Sequence, residues 1–255
     1  MTQRFVCVLL VALITATMPA LGQGGRVTLT FTPESKTPAF EAASAEYRSI
    51  WAAEGARVIE AMERLTTLRF PQKNIKIQVF EGPSNASLLF DRAGVPVGSR
   101  DPMRLRASYS ADNKKGALVH ELGHRMNLNL RTRPRDLDEH RLLFLYLYDL
   151  YVDLYGNQFA DEQVAFGRTL KGLYDYDAAW TWTLAMTRDE RAARWAGVLE
   201  ANGKSRRRDQ RSAASRQHRG SLLRRGRVLH VLRRPGGEGT PLRRWRMMAW
   251  RPRRW

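Results

Sequence analysis

With 255 residues and 43% hydrophobic content, the chain can bury one sizeable core or two small ones, and its single cysteine excludes a disulfide framework and a cysteine-built metal site. The formal net charge is +18, but Lys204 to Trp255 holds seventeen Arg and one Lys against Asp209 and Glu238, a net +16 that leaves only +2 for residues 1–203. A body this close to neutral gives no electrostatic reason to expect a nucleic-acid partner.

Residues 1–22 read as a signal peptide. Arg4 supplies the positive start, Phe5 to Thr17 the apolar stretch, and Ala20-Leu21-Gly22 a small-x-small cleavage site, so the mature chain begins near Gln23. An apolar stretch of 13 residues falls short of the roughly 20 a spanning helix needs. No stable membrane anchor is therefore expected after cleavage, and the protein is expected to be secreted or periplasmic. Cys7 lies early in that stretch, which leaves the mature chain without a thiol and restricts its metal ligands to His, Asp and Glu.

Val27 to Phe31 alternates β-formers and predicts a first strand, punctuated by Thr32-Pro33-Glu34 and Thr37-Pro38. Phe40, Ala43, Tyr47, Ile50, Trp51, Val58, Met62 and Leu65 recur at three- and four-residue steps, the mark of one long amphipathic helix, closed by Pro71. Ile75, Ile77 and Val79 alternate with Lys76 and Gln78 as a half-buried strand, and Gly82-Pro83-Ser84-Asn85 turns the chain. Asp91 to Pro102, rich in Gly and Pro, reads as a surface loop able to border a cleft, and Leu105 to Tyr109 as another strand.

Asp112 or Asn113 can cap the next helix, which runs through Ala117, Leu118, Leu122 and Met126 and carries the run HELGH. A loop at Thr132-Arg133-Pro134 precedes a second helix from about Asp136 to Tyr155, stopped by Gly156. Phe159 to Leu173, Tyr176 to Met186 and Arg188 to Leu199 complete a helical second half. Strands first and helices after predict an α+β domain over 23–203, with a small sheet packed on the HELGH helix. The segment 204–255 is too basic and too poor in aliphatic clusters to bury a core. It is expected to be disordered, or an out-of-frame translation of a GC-rich gene.

In a helix, His120 and His124 stand one turn apart and project from one face, so both imidazoles can bind one metal ion, for which Zn²⁺ is the expected choice. Glu121, next along the turn, is placed to act as general base on an activated water. The run resembles the H-E-x-x-H motif of the zincin metallopeptidases, and Gly116-Ala117-Leu118-Val119 and Gly123 resemble its usual surroundings; the likeness covers this helix alone. Asn127 and Leu130 stand where a metzincin would carry its Gly and third His. The resemblance is thus to zincins whose third ligand is a Glu or Asp on a separate downstream helix. It implies a zincin-like fold and a zinc peptidase acting on peptide or protein substrates.

Asp149 is the preferred third ligand. Asp149 and Asp153 are four residues apart on one helical face among Leu145, Tyr146, Leu150 and Val152, where an ionised carboxylate is costly unless paired or metal-bound. One would bind the metal while the other supports a ligating His. Glu139 and His140 are less attractive, because 15 and 16 residues after His124 leave little chain for a helix to end and a side chain to return. Tyr174 and Tyr176 are possible donors to an oxyanion. The leading expectation is an exported zinc-dependent peptidase; the alternative is a non-catalytic zincin-fold metal-binding or scaffold protein, to which Glu121 as a general base would be superfluous.

Overall fold

The computed structural model describes residues 27–171 and 174–204. The signal peptide expected at 1–22 and the tail expected beyond Lys204 lie outside these residues. In chain order the elements are β1 (Thr28–Pro33), α1 (Pro38–Thr66), β2 (Asn74–Phe80), β3 (Leu88–Phe90), β4 (Pro96–Ser99), β5 (Met103–Arg106), α2 (Ala111–Met126), α3 (Glu139–Tyr155), α4 (Asn157–Thr169), α5 (Tyr176–Leu184) and α6, helical over 188–204. Among the described residues no helix is long and apolar enough to cross a membrane.

The result is a mixed α/β fold. β1, β2 and β5 form a parallel sheet in the order β1-β2-β5, with Phe31 beside Ile77 and Val79 beside Leu105. Alternation decides which side is covered: Leu29, Phe31, Ile75, Ile77, Val79, Met103 and Leu105 are buried while Thr28, Thr30 and Lys76 are exposed. The long helix α1 makes the crossover between the parallel strands β1 and β2. Its fully buried Tyr47 stacks on Phe31 at 6.0 Å between ring centroids and donates its hydroxyl to the Arg106 carbonyl at 2.9 Å, which fastens α1 to both ends of the sheet.

Several boundaries differ from expectation; the strand expected at Leu105 to Tyr109 is β5 at Met103–Arg106, and two differences have local reasons. The stretch read as a Gly- and Pro-rich loop contains β4, which pairs antiparallel with β3. Asp91 makes this possible: its Oδ1 accepts from the N–H of Ala93 and of Val95, both at 2.9 Å, and Gly94 at φ 71 takes the left-handed conformation that closes the turn. α2 is capped by Ser110, whose hydroxyl accepts from the Asn113 N–H, rather than by Asp112 or Asn113.

The helical half is built around α3, almost wholly buried from Leu142 to Leu147. α3 and α2 run antiparallel and lie close, because Gly123 presents no side chain; a Cβ there would come within 2.5 Å of Leu143 Cδ1. Two tyrosines of α3 seal the contact. Tyr146 donates to the Gly123 carbonyl at 2.8 Å and Tyr151 to the Gly116 carbonyl at 2.9 Å. Gly156, at φ 88, separates α3 from α4, and Trp180 of α5 stacks on Phe144 of α3 with ring centroids 3.7 Å apart.

Candidate functional site

His120, Glu121 and His124 lie on the second half of α2, and the helix delivers what its spacing promises. The Nε2 atoms of His120 and His124 are 3.1 Å apart. What completes the cluster is His140, from the first turn of α3. One ligand atom from each of His120, His124 and His140 lies within 4.8 Å of the others, an arrangement able to hold a metal ion.

Asp149 is not brought to this cluster, and the expectation that it is the third ligand is corrected. Its carboxylate is held by Arg191 of α6, Oδ2 accepting from Nε at 2.9 Å and Oδ1 from Nη2 at 2.6 Å, with both residues buried. Asp153 is likewise taken up, by Arg188 at 2.9 Å and Arg64 at 3.5 Å. The reason is the geometry of two antiparallel helices joined by a short connection: residues equidistant from the connection meet. His124 thus meets His140, His120 meets Phe144, and Gly116 meets Tyr151. Asp149 lies nine residues beyond His140, about two and a half turns along α3, and so points from the opposite side of the helix.

The connection judged too short proves sufficient. A 3-10 turn at Asn127–Asn129 ends α2 tightly, Leu130 is extended, and Asp138 starts α3 by accepting from the Arg141 N–H at 2.8 Å. Glu139 and His140 therefore occupy the first turn of α3, beside the last turn of α2. Glu139 is placed at the site too, though not among the three clustered ligand atoms. Its Oε1 lies 2.9 Å from His124 Nδ1, close but off the N–H axis of a well-aligned hydrogen bond. That contact directs His124 Nε2 toward the cluster.

Burial sets the protonation of the group. It pulls His120 well below the ordinary histidine range, helped by the charges of His124 and His140, and pulls His140 down to about 2, helped by His124. Both imidazoles are neutral, as metal ligands must be. Burial acts the same way on His124, but the Glu139 carboxylate 2.9 Å from its Nδ1, with the charge of Glu121 behind it, outweighs burial and leaves this residue raised. Glu121 is pushed up to about 7 by burial, with Glu139 adding to the rise and His124 and the Ala86 N–H opposing it. A carboxyl poised there exchanges protons readily near neutral pH.

Donor chemistry fits a metal. His140 Nδ1 is buried without a hydrogen-bond partner among the described residues, and two further imidazole nitrogens face each other at 3.1 Å. Three imidazoles with a carboxylate behind one of them suit a borderline divalent ion.

The cluster opens into a cleft of about 270 Å³ lined by Ser84 to Leu88 and Phe90 on one wall and by Glu121, His124, Glu139, His140, Tyr174 and Tyr176 on the other. Asn85 exchanges both backbone hydrogen bonds with Arg104 at 2.9 Å, adding an antiparallel edge outside β5. The backbone groups of Ala86 accordingly face the other way, and its N–H reaches Glu121. The rings of Tyr174 and Tyr176 stand 4.4 and 4.5 Å from that of His140. Burial raises both phenols, so each keeps its proton, and Tyr174 donates to Glu139.

Sequence reasoning thus ranked His140 below Asp149 and missed the 84–90 wall. The first had a readable signal: Asp138 as N-cap places Glu139-His140 in the opening turn of α3, and Gly123 marks where that turn can approach. The wall had none, because it depends on long-range pairing with β5. Compared with protein-family models, with curated proteins and with solved structures, the chain matches none.

Proposed function

We propose that the protein is an exported metal-dependent peptidase, most simply a zinc enzyme, in which His120, His124 and His140 hold the ion and Glu121 is the general base. The observation that carries this reading is the convergence of three imidazoles beside a carboxyl poised near neutrality in one cleft. A bound divalent ion would polarise a substrate carbonyl and make water more acidic. Glu121 takes a proton from the attacking water and returns it to the leaving amine, a role suited to a group with a pKa of about 7. Glu139 fixes the orientation of His124. The Tyr176 hydroxyl, which keeps its proton, is the donor for the oxyanion that develops on the carbonyl oxygen, since the proton of Tyr174 is given to Glu139.

Hydrolysis of an unstructured protein by wild type and Glu121→Gln, with bound zinc measured in each, tests the reading. Glu121→Gln should keep its metal and lose activity by on the order of 10²- to 10⁴-fold. Wild type that binds zinc stoichiometrically and hydrolyses no peptide would favour the metal-binding scaffold instead.

A further inference from the structure

One face of α6 is spoken for along its whole length. Arg188 meets Asp153, Arg191 meets Asp149, and the ring of Trp195 lies edge-on to Tyr146 with centroids 4.9 Å apart. The α3 number falls as the α6 number rises, so the two helices are antiparallel. The next residue on this face beyond Val198 is Asn202, which is buried and meets the connection between α2 and α3 rather than α3 itself.

Asn202 uses its side-chain amide in full. Oδ1 accepts from the N–H of Arg131 at 2.7 Å and of Thr132 at 3.0 Å, and Nδ2 donates to the carbonyls of Thr132 at 3.0 Å and Val198 at 2.9 Å. One side chain, 70 residues further along the chain, thus holds three backbone groups of two consecutive residues. Those residues are the middle of the connection. Before them the Leu130 N–H bonds back to the Asn127 carbonyl at 3.0 Å; after them the Leu137 N–H bonds the Pro134 carbonyl at 3.1 Å and leads into the Asp138 cap. Each flank is held by local bonds, whereas irregular backbone between two turns has no repeating pattern to bond within, and Asn202 supplies the partners.

The connection in turn sets the histidine cluster. His140 stands on the first turn of α3 and meets His124 because the connection returns that turn to the end of α2. Freedom at 131–132 would let the start of α3 sample other positions. An ion that needs three imidazoles at once binds only the fraction of molecules in which they converge, and its apparent affinity falls with that fraction.

Resting on the assignment of the metal to His120, His124 and His140, we propose that Asn202 is a positioning residue of the metal site. From the end of α6 it fixes the connection so that His140 stands ready beside the other two histidines, and it raises metal affinity without touching the ion.

Competition with a chelator of known affinity, on full-length wild type, Asn202→Ala, the milder Asn202→Ser and Ile77→Val, tests this with Zn²⁺ alone. Ile77→Val trims the buried sheet core and controls for general loss of stability. Each protein is titrated where circular dichroism shows it folded, so that global stability does not enter the affinity of the folded molecule. Asn202→Ala should still take up one zinc per chain but bind it roughly tenfold more weakly and release it faster, with Asn202→Ser shifted the same way and Ile77→Val unchanged. Wild-type affinity in both Asn202 variants, or an equal loss in Ile77→Val, overturns the proposal and leaves the metal reading in place. Failure of both Asn202 variants to fold overturns it too, because Asn202 would then hold the whole domain rather than the site. Wild type that takes up no zinc removes the metal reading and the proposal together.

Discussion

The first turn of α3 and its middle carry the same kind of residue to different ends. Glu139 and His140 sit beside α2, where His140 joins His120 and His124 and Glu139 supports His124. Asp149 and Asp153, two and more turns along, face α6 and α1 and are neutralised by arginines. The buried carboxylates among them, Glu139 and Asp149, each meet the rule that a buried ionisable group must have a partner. The rule does not say which partner, and on an antiparallel helix pair that is settled by distance from the connecting turn.

Mutations can break the comparison. The largest effect is expected at Asp149→Ala, which leaves Arg191 buried and uncompensated at a cost of about 3–5 kcal/mol in unfolding free energy. The zinc bound per folded molecule should not change, and denaturant titration beside metal analysis checks both halves. At the other end of α3, Glu139→Gln should barely alter folding yet weaken metal affinity by about 10- to 100-fold, since His124 loses the carboxylate behind it. Competition with a chelator of known affinity reads that shift. A smaller change is expected from Tyr146→Phe, which removes a hydroxyl that donates to Gly123 at 2.8 Å and lies 3.0 Å from Asn127 Oδ1 in the seam between α2 and α3. It should cost about 1–2 kcal/mol, because the buried Gly123 carbonyl loses this donor and the Asn127 side-chain amide loses its polar neighbour. Thermal unfolding measures it.

Local pattern made much of this legible. The apolar steps from Phe40 to Leu65 are α1, the alternation at Ile75, Ile77 and Val79 is β2, and HELGH sits on a helix with both histidines on one face. What stayed hidden depends on residues far apart in sequence. The parallel pairing of β1 with β2 and the β3–β4 hairpin are set by register and by the Asp91 turn, neither of which periodicity records. The third member of the histidine cluster was misjudged by one step of chain geometry. The apolar company of Asp149 correctly signalled a buried carboxylate in need of a partner, but Arg191, 42 residues away, was invisible to that argument. His140 was set aside for lack of chain, although the tight 3-10 turn at Asn127–Asn129 supplies the economy.

The central claim is that His140, and not Asp149, completes the set that holds the metal. Zinc content by mass spectrometry of the intact folded protein, compared between His140→Ala and Asp149→Asn after identical zinc loading and dialysis, tests it most directly. The account predicts that His140→Ala falls well below one zinc per chain while Asp149→Asn, to the extent that it folds, retains about one. Full zinc in His140→Ala together with its loss from folded Asp149→Asn would contradict it.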